Sequence, residues 1–249
     1  MRLLVSVRSP SEVAAAIAGG ADIIDAKEPS RGSLGAVSSG VLREILIEIP
    51  ASNEVSVALG DFRHSDDVCS AIAALPLVGP PPSAYVKLGF SGVSSKQQIA
   101  ALLRAAATAA LRHPARPRVV AVAYADARLT GCSEPETVLE AAAESGAAGM
   151  LLDTEIKTTG HLFSWMVPER VRRLFAELHR MGLIAAAAGG LGPAQIQVAE
   201  WTGPDIIGVR GAACVGGRQG RLSPSRVRRL RQMLSQPASD FVQGTFLPT

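Results

Sequence analysis

Aromatic residues are scarce in this chain. Two Trp, two Tyr and six Phe make up 4% of 249 residues, too few for the stacking platforms of nucleic-acid-binding modules. No apolar run reaches the roughly 18 residues of a membrane span, because Arg or Glu interrupts the Ala-rich stretches. Cys69, Cys132 and Cys214 are odd in number, far apart and in no CxxC pair. That argues against a disulfide framework or a zinc site and fits a reducing cytoplasm. His64, His113, His161 and His179 show no ligand spacing, so no metal is expected. His64 follows a strand and is within reach of its rim, whereas the other three read as surface. HExxH, GxSxG and Walker signatures are missing. The segment 1–7 is too short for a secretory signal and reads as a first strand.

Lysine is scarce too. There are four, at 27, 87, 96 and 157, against 21 arginines. Arginine supplies the generic positive charge, so a retained lysine points to work a guanidinium cannot do, such as imine formation or proton exchange near neutrality. Lys96 sits in the helix opening Ser94-Ser95-Lys96-Gln97 and needs no such role. The formal charge of +3 owes much to Arg226, Arg228, Arg229 and Arg231 on one late helix, which read as a solvated face. No nucleic-acid motif accompanies them, and neither nucleic acid nor membrane is expected as a partner.

With 47% hydrophobic and 19% charged residues, the chain has the composition of a packed domain. Short apolar runs alternate with longer Ala- and Leu-rich segments of helical period. Strands are predicted at Leu3–Val7, Asp22–Asp25, Val55–Leu59, Ala84–Leu88, Val119–Tyr124, Gly149–Leu152, Leu183–Ala187 and Asp205–Val209. Helices are predicted at Ser11–Ala18, Ser38–Glu48, Asp66–Leu75, Ser94–Leu111, Pro135–Ser145, Pro168–Met181, Pro193–Glu200 and Ser223–Leu234. Eight strictly alternating units imply an α/β fold of the TIM (β/α)8 barrel type. A doubly wound dinucleotide fold would want GxGxxG after the first strand, where Arg8-Ser9-Pro10-Ser11 stands. Residues 1–234 read as one domain. The breaker cluster 79–83 precedes the fourth strand. Residues 235–249 have no period and read as a tail that frays or packs on a neighbour, which leaves a homo-oligomer open.

Barrels of this type place their chemistry at the C-terminal strand ends. There the chain carries Asp25 and Lys27, then Asp61, then Lys87 inside an apolar strand, Asp126, and finally Asp153 with Lys157. Period two puts Asp25 with Lys27, and Tyr85 with Lys87, on common sides. Lysines crowded between low-dielectric walls should have lowered pKa values and a nucleophilic neutral fraction. The bland alternative is a set of ion pairs tying strand ends together. After the seventh and eighth strands come Gly189-Gly190 and Arg210-Gly211, where barrels commonly bind phosphate through backbone N–H groups, with Arg210 as a forked donor.

The segments Asp22-Ile23-Ile24-Asp25-Ala26-Lys27-Glu28-Pro29 and Arg31-Gly32-Ser33-Leu34-Gly35-Ala36 resemble the opening motif of the (5-formylfuran-3-yl)methyl phosphate synthase family. The resemblance continues through Gly60-Asp61, Tyr85-Val86-Lys87-Leu88-Gly89, Leu151-Leu152-Asp153-Thr154 with Lys157, Ala188-Gly189-Gly190-Leu191 and Asp205-Ile206-Ile207-Gly208-Val209-Arg210-Gly211. It departs at Ala26 and Glu28, where Val and Asn are expected in many members, and at Gly189-Gly190, often Gly-Ser. It implies a cofactor-free lyase that joins two molecules of glyceraldehyde 3-phosphate into a furan phosphate for methanofuran- or methylofuran-type cofactors. It further implies a Schiff base on Lys27, a proton-accepting Lys87, and active-site roles for Asp25, Asp153 and Lys157. Another Schiff-base aldolase, a phosphosugar isomerase or a non-catalytic phospholigand-binding barrel are the competing readings.

Overall fold

A computed structural model describes residues 1–77 and 84–234. The cluster 79–83 and the tail 235–249 lie outside the described residues. Eight strands close into a parallel barrel in chain order: β1 (Arg2–Val7), β2 (Ile23–Ala26), β3 (Glu54–Asp61), β4 (Ala84–Gly89), β5 (Arg118–Tyr124), β6 (Gly149–Asp153), β7 (Ile184–Ala187) and β8 (Ile206–Val209). The ring closes where Leu3 pairs with Ile207 and Val5 with Val209. Around it run α1 (Pro10–Ala18), α2 (Ser39–Glu48), α3 (Ser65–Ala73), α4 (Lys96–Arg112), α5 (Ala127–Thr130), α6 (Pro135–Ala143), α7 (Leu162–Trp165), α8 (Pro168–Arg180), α9 (Pro193–Trp201) and α10 (Pro224–Met233). Among the described residues no helix is long and apolar enough to cross a membrane.

Proline punctuates the helices. Pro10, Pro135, Pro168, Pro193 and Pro224 each sit in a first turn, where the missing N–H has no intrahelical acceptor to lose. Each helix then turns an apolar stripe onto the sheet. In α8 the buried residues are Val171, Leu174, Phe175 and Leu178, the spacing of one helical face. Fully burying such a Leu or Phe contributes about 1.5–3 kcal/mol.

The alternation of each strand splits the apolar residues into two layers. Leu3, Val5, Val7, Ile24, Val86 and Leu88 face the helices, whereas Leu4, Ile23, Tyr85, Val120, Leu151, Ala186 and Ile206 fill the barrel. The N-terminal end is sealed by polar side chains. Arg2 and Arg118 donate to the Tyr85 hydroxyl at 3.1 and 2.5 Å, Arg118 lies 4.2 Å over the Tyr85 ring, and Glu54 binds Arg2 at 2.5 Å. The opposite end remains open for a cavity. Near the chain ends, α10 lies against α1 so closely that a Cβ on Gly19 would stand 2.3 Å from Val227 Cβ. Two of the late arginines tie α10 back to the barrel: Arg228 donates to Ala18 O at 2.8 Å and Arg231 to Met1 O at 3.4 Å.

The structure adds pieces that periodicity does not reveal. These are the short helices α5 and α7, two 3₁₀ turns at Pro29–Arg31 and Gly211–Ala213, and a hairpin of β9 (Cys214–Val215) and β10 (Arg221–Leu222). All are too short to show a repeating apolar pattern. β3 also runs two residues beyond its predicted end, through a register shift between Ala58 and Gly60 with Gly60 at φ +112°. His113 is buried rather than on the surface. Its ring caps the end of α4 by accepting from Ala115 N at 3.2 Å.

Candidate active site

Asp25, Lys27, Lys87, Asp153 and Lys157 meet at the C-terminal mouth of the barrel and line one cavity of about 320 Å³. Two of them sit inside strands, Asp25 in β2 and Lys87 in β4. Asp153 ends β6, and the backbone after β2 and β6 carries Lys27 and Lys157 over the same opening. Lys87 Nζ lies 2.7 Å from Asp25 Oδ1, and Ser6 Oγ donates to Asp25 Oδ2 at 2.8 Å. Asp153 is the second hub. Its Oδ1 accepts from Lys157 Nζ and from Thr154 N at 2.8 Å. Its Oδ2 accepts from Ser33 Oγ at 3.1 Å and faces Lys27 Nζ at 3.7 Å.

Burial disfavours every charge here, and neighbours decide the outcome. For Lys27, burial lowers the amine from 10.5 to about 7, Asp153 opposes the fall, Lys157 and Lys87 add to it, and Asp25 opposes it. Lys157 is lowered by burial against the pull of Asp153. For Asp153, burial favours the neutral acid, but Lys157, Lys27 and the hydrogen bonds from Lys157 and Thr154 outweigh it and hold the carboxyl well below its usual range. Near neutral pH the cavity therefore holds a substantial fraction of uncharged Lys27 amine beside an ionised Asp153. That pairing suits addition to a carbonyl followed by proton transfer.

Gly189, Gly190 and Gly211 form the wall from the β7 and β8 loops. Gly189 has φ +94°, and a Cβ there would meet Thr154 Cγ2 at 3.0 Å and Thr154 N at 3.1 Å. The tight turn thus requires glycine and brings bare backbone to the cavity.

Four residues expected at the mouth are placed differently. Arg210 is buried beside the cavity, but its guanidinium is fully engaged elsewhere. Nη1 and Nη2 grip Glu12 at 2.5 and 3.0 Å, and the remaining bonds go to Ser6 O, Arg218 O and Gly220 O at 3.0–3.1 Å. These account for all its N–H groups, so it braces β8 against α1 and the hairpin rather than offering a fork to phosphate. Asp61 is not on the cavity wall. The β3 bulge turns it toward Gly89, where it accepts from Ser91 N at 3.0 Å and Tyr124 Oη at 2.8 Å. Burial raises its pKa. His64 precedes α3, exposed and away from the cavity. Asp126 also serves structure, accepting from Glu155 N and Ile156 N at 2.7 and 2.8 Å.

Four further polar residues on or behind the cavity wall carry weaker sequence signals. Arg218, from the hairpin, is a guanidinium on the wall, and it holds the loop after β2 through Pro29 O and Gly32 O. Ser6 and Ser56 are inward-facing polar residues in apolar strands, a period-two signal that was available. Ser33 reaches Asp153 from a loop and leaves no such trace. Among the described residues no group of three or more His, Cys, Asp or Glu is arranged to hold a metal.

The profile of the family described as 4-HFC-P synthase matches residues 3–231. The chain is 36% identical to the (5-formylfuran-3-yl)methyl phosphate synthase of Methanopyrus kandleri over 237 residues, covering 94% of this chain and 99% of that one. It is 37% identical to the protein of the same name from Methanocaldococcus jannaschii, with 94% and 99% covered. Among solved structures it resembles phosphoribosyl anthranilate isomerase from Thermus thermophilus, with a TM-score of 0.60, 17% identity, and 94% and 98% covered. At that identity the likeness concerns the barrel alone. Near-complete coverage by the profile and by both relatives shows that the chain belongs to the 4-HFC-P, or (5-formylfuran-3-yl)methyl phosphate, synthase family.

Proposed function

We propose that this chain condenses two molecules of glyceraldehyde 3-phosphate into (5-formylfuran-3-yl)methyl phosphate through an imine on Lys27. Family membership supports the coarser statement, an enzyme that makes a furan phosphate. The relatives' names give only the product. The substrate and the imine rest on the site and on mass balance: two trioses become this product with release of one phosphate and two waters, without oxidation or reduction. The observation that carries the reading is Lys27, buried in the cavity 3.7 Å from Asp153 with its amine near neutrality.

The neutral amine adds to the aldehyde, and loss of water gives an iminium that acidifies the neighbouring C–H. Phosphate elimination, aldol addition, ring closure and dehydration each need a proton moved. The Lys87–Asp25 pair serves one part of the cavity. Asp153 and Lys157 serve the carbon chain beside Lys27. Gly189, Gly190 and Gly211 present backbone to a phosphate, and Arg218 takes the charge-pairing role first expected of Arg210. Residues 1–234 act as a single catalytic domain, whose product supplies the furan of a methanofuran- or methylofuran-type cofactor.

Borohydride added with glyceraldehyde 3-phosphate tests this. The expected result is a covalent mass gain on the peptide containing Lys27, with a furan-aldehyde absorbance growing when borohydride is omitted. A lysine adduct with only an aldol or isomerised sugar as product would favour a different Schiff-base aldolase. No adduct on any lysine would favour a phospholigand-binding barrel.

A further inference from the structure

The cavity contains one polar group that neither the fold nor the proposed chemistry has used. Ser56 belongs to β3, paired across the sheet with Asp25 of β2 and Tyr85 of β4. It is 1% exposed and lines the cavity together with Asp25 and Lys87. Its Oγ has no hydrogen-bond partner.

The surrounding side chains make that isolation informative. Ser6 Oγ donates to Asp25 Oδ2 at 2.8 Å. Asp25 Oδ1 has Lys87 Nζ at 2.7 Å. The Tyr85 hydroxyl is held by Arg2 and Arg118. Asp25 Oδ1 has the Lys87 ion pair but no aligned hydrogen bond, and none of these groups hydrogen-bonds Ser56. A serine hydroxyl can donate once and accept twice, and leaving all of that unmet in a buried place is costly. Ala would fill the same position in a barrel core without the penalty. Among the described residues the other buried side-chain atoms without a hydrogen bond are Asp25 Oδ1, which has the Lys87 ion pair, and His161 Nδ1 and Trp165 Nε1, which are not on the cavity wall.

We propose that the Ser56 hydroxyl is a substrate-binding group in the barrel cavity, which hydrogen-bonds a hydroxyl or carbonyl oxygen of the bound triose phosphate. The assignment rests on the reading of the cavity as a triose-phosphate site. It adds a neutral contact to a site otherwise dominated by lysines and carboxylates. A neutral donor–acceptor recognises a sugar oxygen without shifting the charge balance that keeps Lys27 reactive. An analogue with hydrogen in place of that oxygen would leave Ser56 unmet, so the contact also selects for an oxygenated carbon chain.

The test is Ser56→Ala, assayed with glyceraldehyde 3-phosphate and melted without ligand. Expected are a melting temperature unchanged or raised, a retained borohydride adduct on Lys27 at saturating substrate, and kcat/KM lowered about 10- to 100-fold, mainly through a higher KM. A melting temperature lowered by several degrees would show that the hydroxyl holds the fold, and would overturn the assignment. So would a variant whose KM and kcat both match the unmodified protein. If the unmodified protein itself forms no adduct and no product, the triose-phosphate reading falls and the Ser56 assignment falls with it. An adduct on the unmodified protein, with kinetics indifferent to Ser56→Ala, removes the Ser56 assignment alone.

Discussion

Replacing Lys27 by Met should abolish the reaction and make the fold more stable. The amine falls from 10.5 to about 7 on burial, which corresponds to about 4–5 kcal/mol at about 1.4 kcal/mol per tenfold change. The sign follows from proton counting. Below pH 7 both folded and unfolded chains carry the proton, and the full penalty of a buried ammonium is present. Between pH 7 and 10.5 the unfolded chain binds the proton and the folded chain does not, so stability rises with pH by about 1.4 kcal/mol per unit. Above that window the penalty is gone. Met keeps much of the length of Lys27 without the charge, and Asp153 retains Lys157, Thr154 N and Ser33 as partners. Allowing for the lost Lys27–Asp153 attraction, the variant should gain about 1–4 kcal/mol at pH 7. For a chain of this size that raises the melting temperature by about 2–4 °C per kcal/mol. Thermal melts of both proteins at pH 7 and pH 9 provide the assay. The gain at pH 7 should exceed that at pH 9 by about 2 kcal/mol, because only the unsubstituted protein has the slope. A lower melting temperature for Lys27→Met at pH 7, or equal differences at the two pH values, would show that Lys27 is a structural ion-pair member and would refute the reasoning.

Two further substitutions probe neighbouring parts of the site. Asp153 raises the Lys27 pKa while burial lowers it, so Asp153→Asn should move the acid limb of kcat/KM below its starting place near pH 7, along with a loss of rate. A pH–rate profile checks this, and a limb displaced upward contradicts it. Arg210→Ala would take away the buried cation that Glu12 pairs with, leaving it the Arg8 backbone N–H at 2.9 Å and Arg8 Nε at 3.8 Å, costing about 3–5 kcal/mol of stability. Denaturant titration should show that loss. Stability unchanged with a raised KM would instead restore Arg210 as a phosphate ligand.

The barrel was legible because each unit states its boundaries locally. A run of apolar residues, a proline in a first helical turn and a striped helix need no distant information. The five charged residues at the mouth were legible for a related reason. Lysine is so rare here that Lys27, Lys87 and Lys157 stood out, and strand period put Asp25 with Lys27 and Tyr85 with Lys87 on common sides, but the pairing of Lys87 with Asp25 and of Lys27 with Asp153 is set by the closed barrel. Arg210 was misread because its partner is 198 residues away. No local pattern says that a buried Glu12 on α1 waits for it. Asp61 failed for a geometric reason, since one extra residue at Gly60 re-aims every side chain that follows. Serine at an inward strand position was visible, but only the structure separates Ser6, which has a partner, from Ser56, which has none.

The same geometry explains why Lys27 gives up its proton near neutrality. The cavity brings together three amines and two carboxylates. Asp25 already has Lys87 at 2.7 Å, and Asp153 already holds Lys157 in a direct hydrogen bond. Lys27 stands farther off, 3.7 Å from an oxygen that also accepts from Ser33. It is the unmatched cation, so its charge is the least compensated for the loss of water. A phosphate brought beside it would supply the missing counter-charge and favour the ammonium, suppressing the nucleophile. In the proposed reading the glycine turns after β7 and β8 offer a way around that conflict, because backbone N–H groups on the wall would take the phosphate while the aldehyde end reaches Lys27. A triose phosphate separates those two ends by its own carbon chain, which is why the proposed substrate suits an amine whose reactivity depends on remaining unpaired.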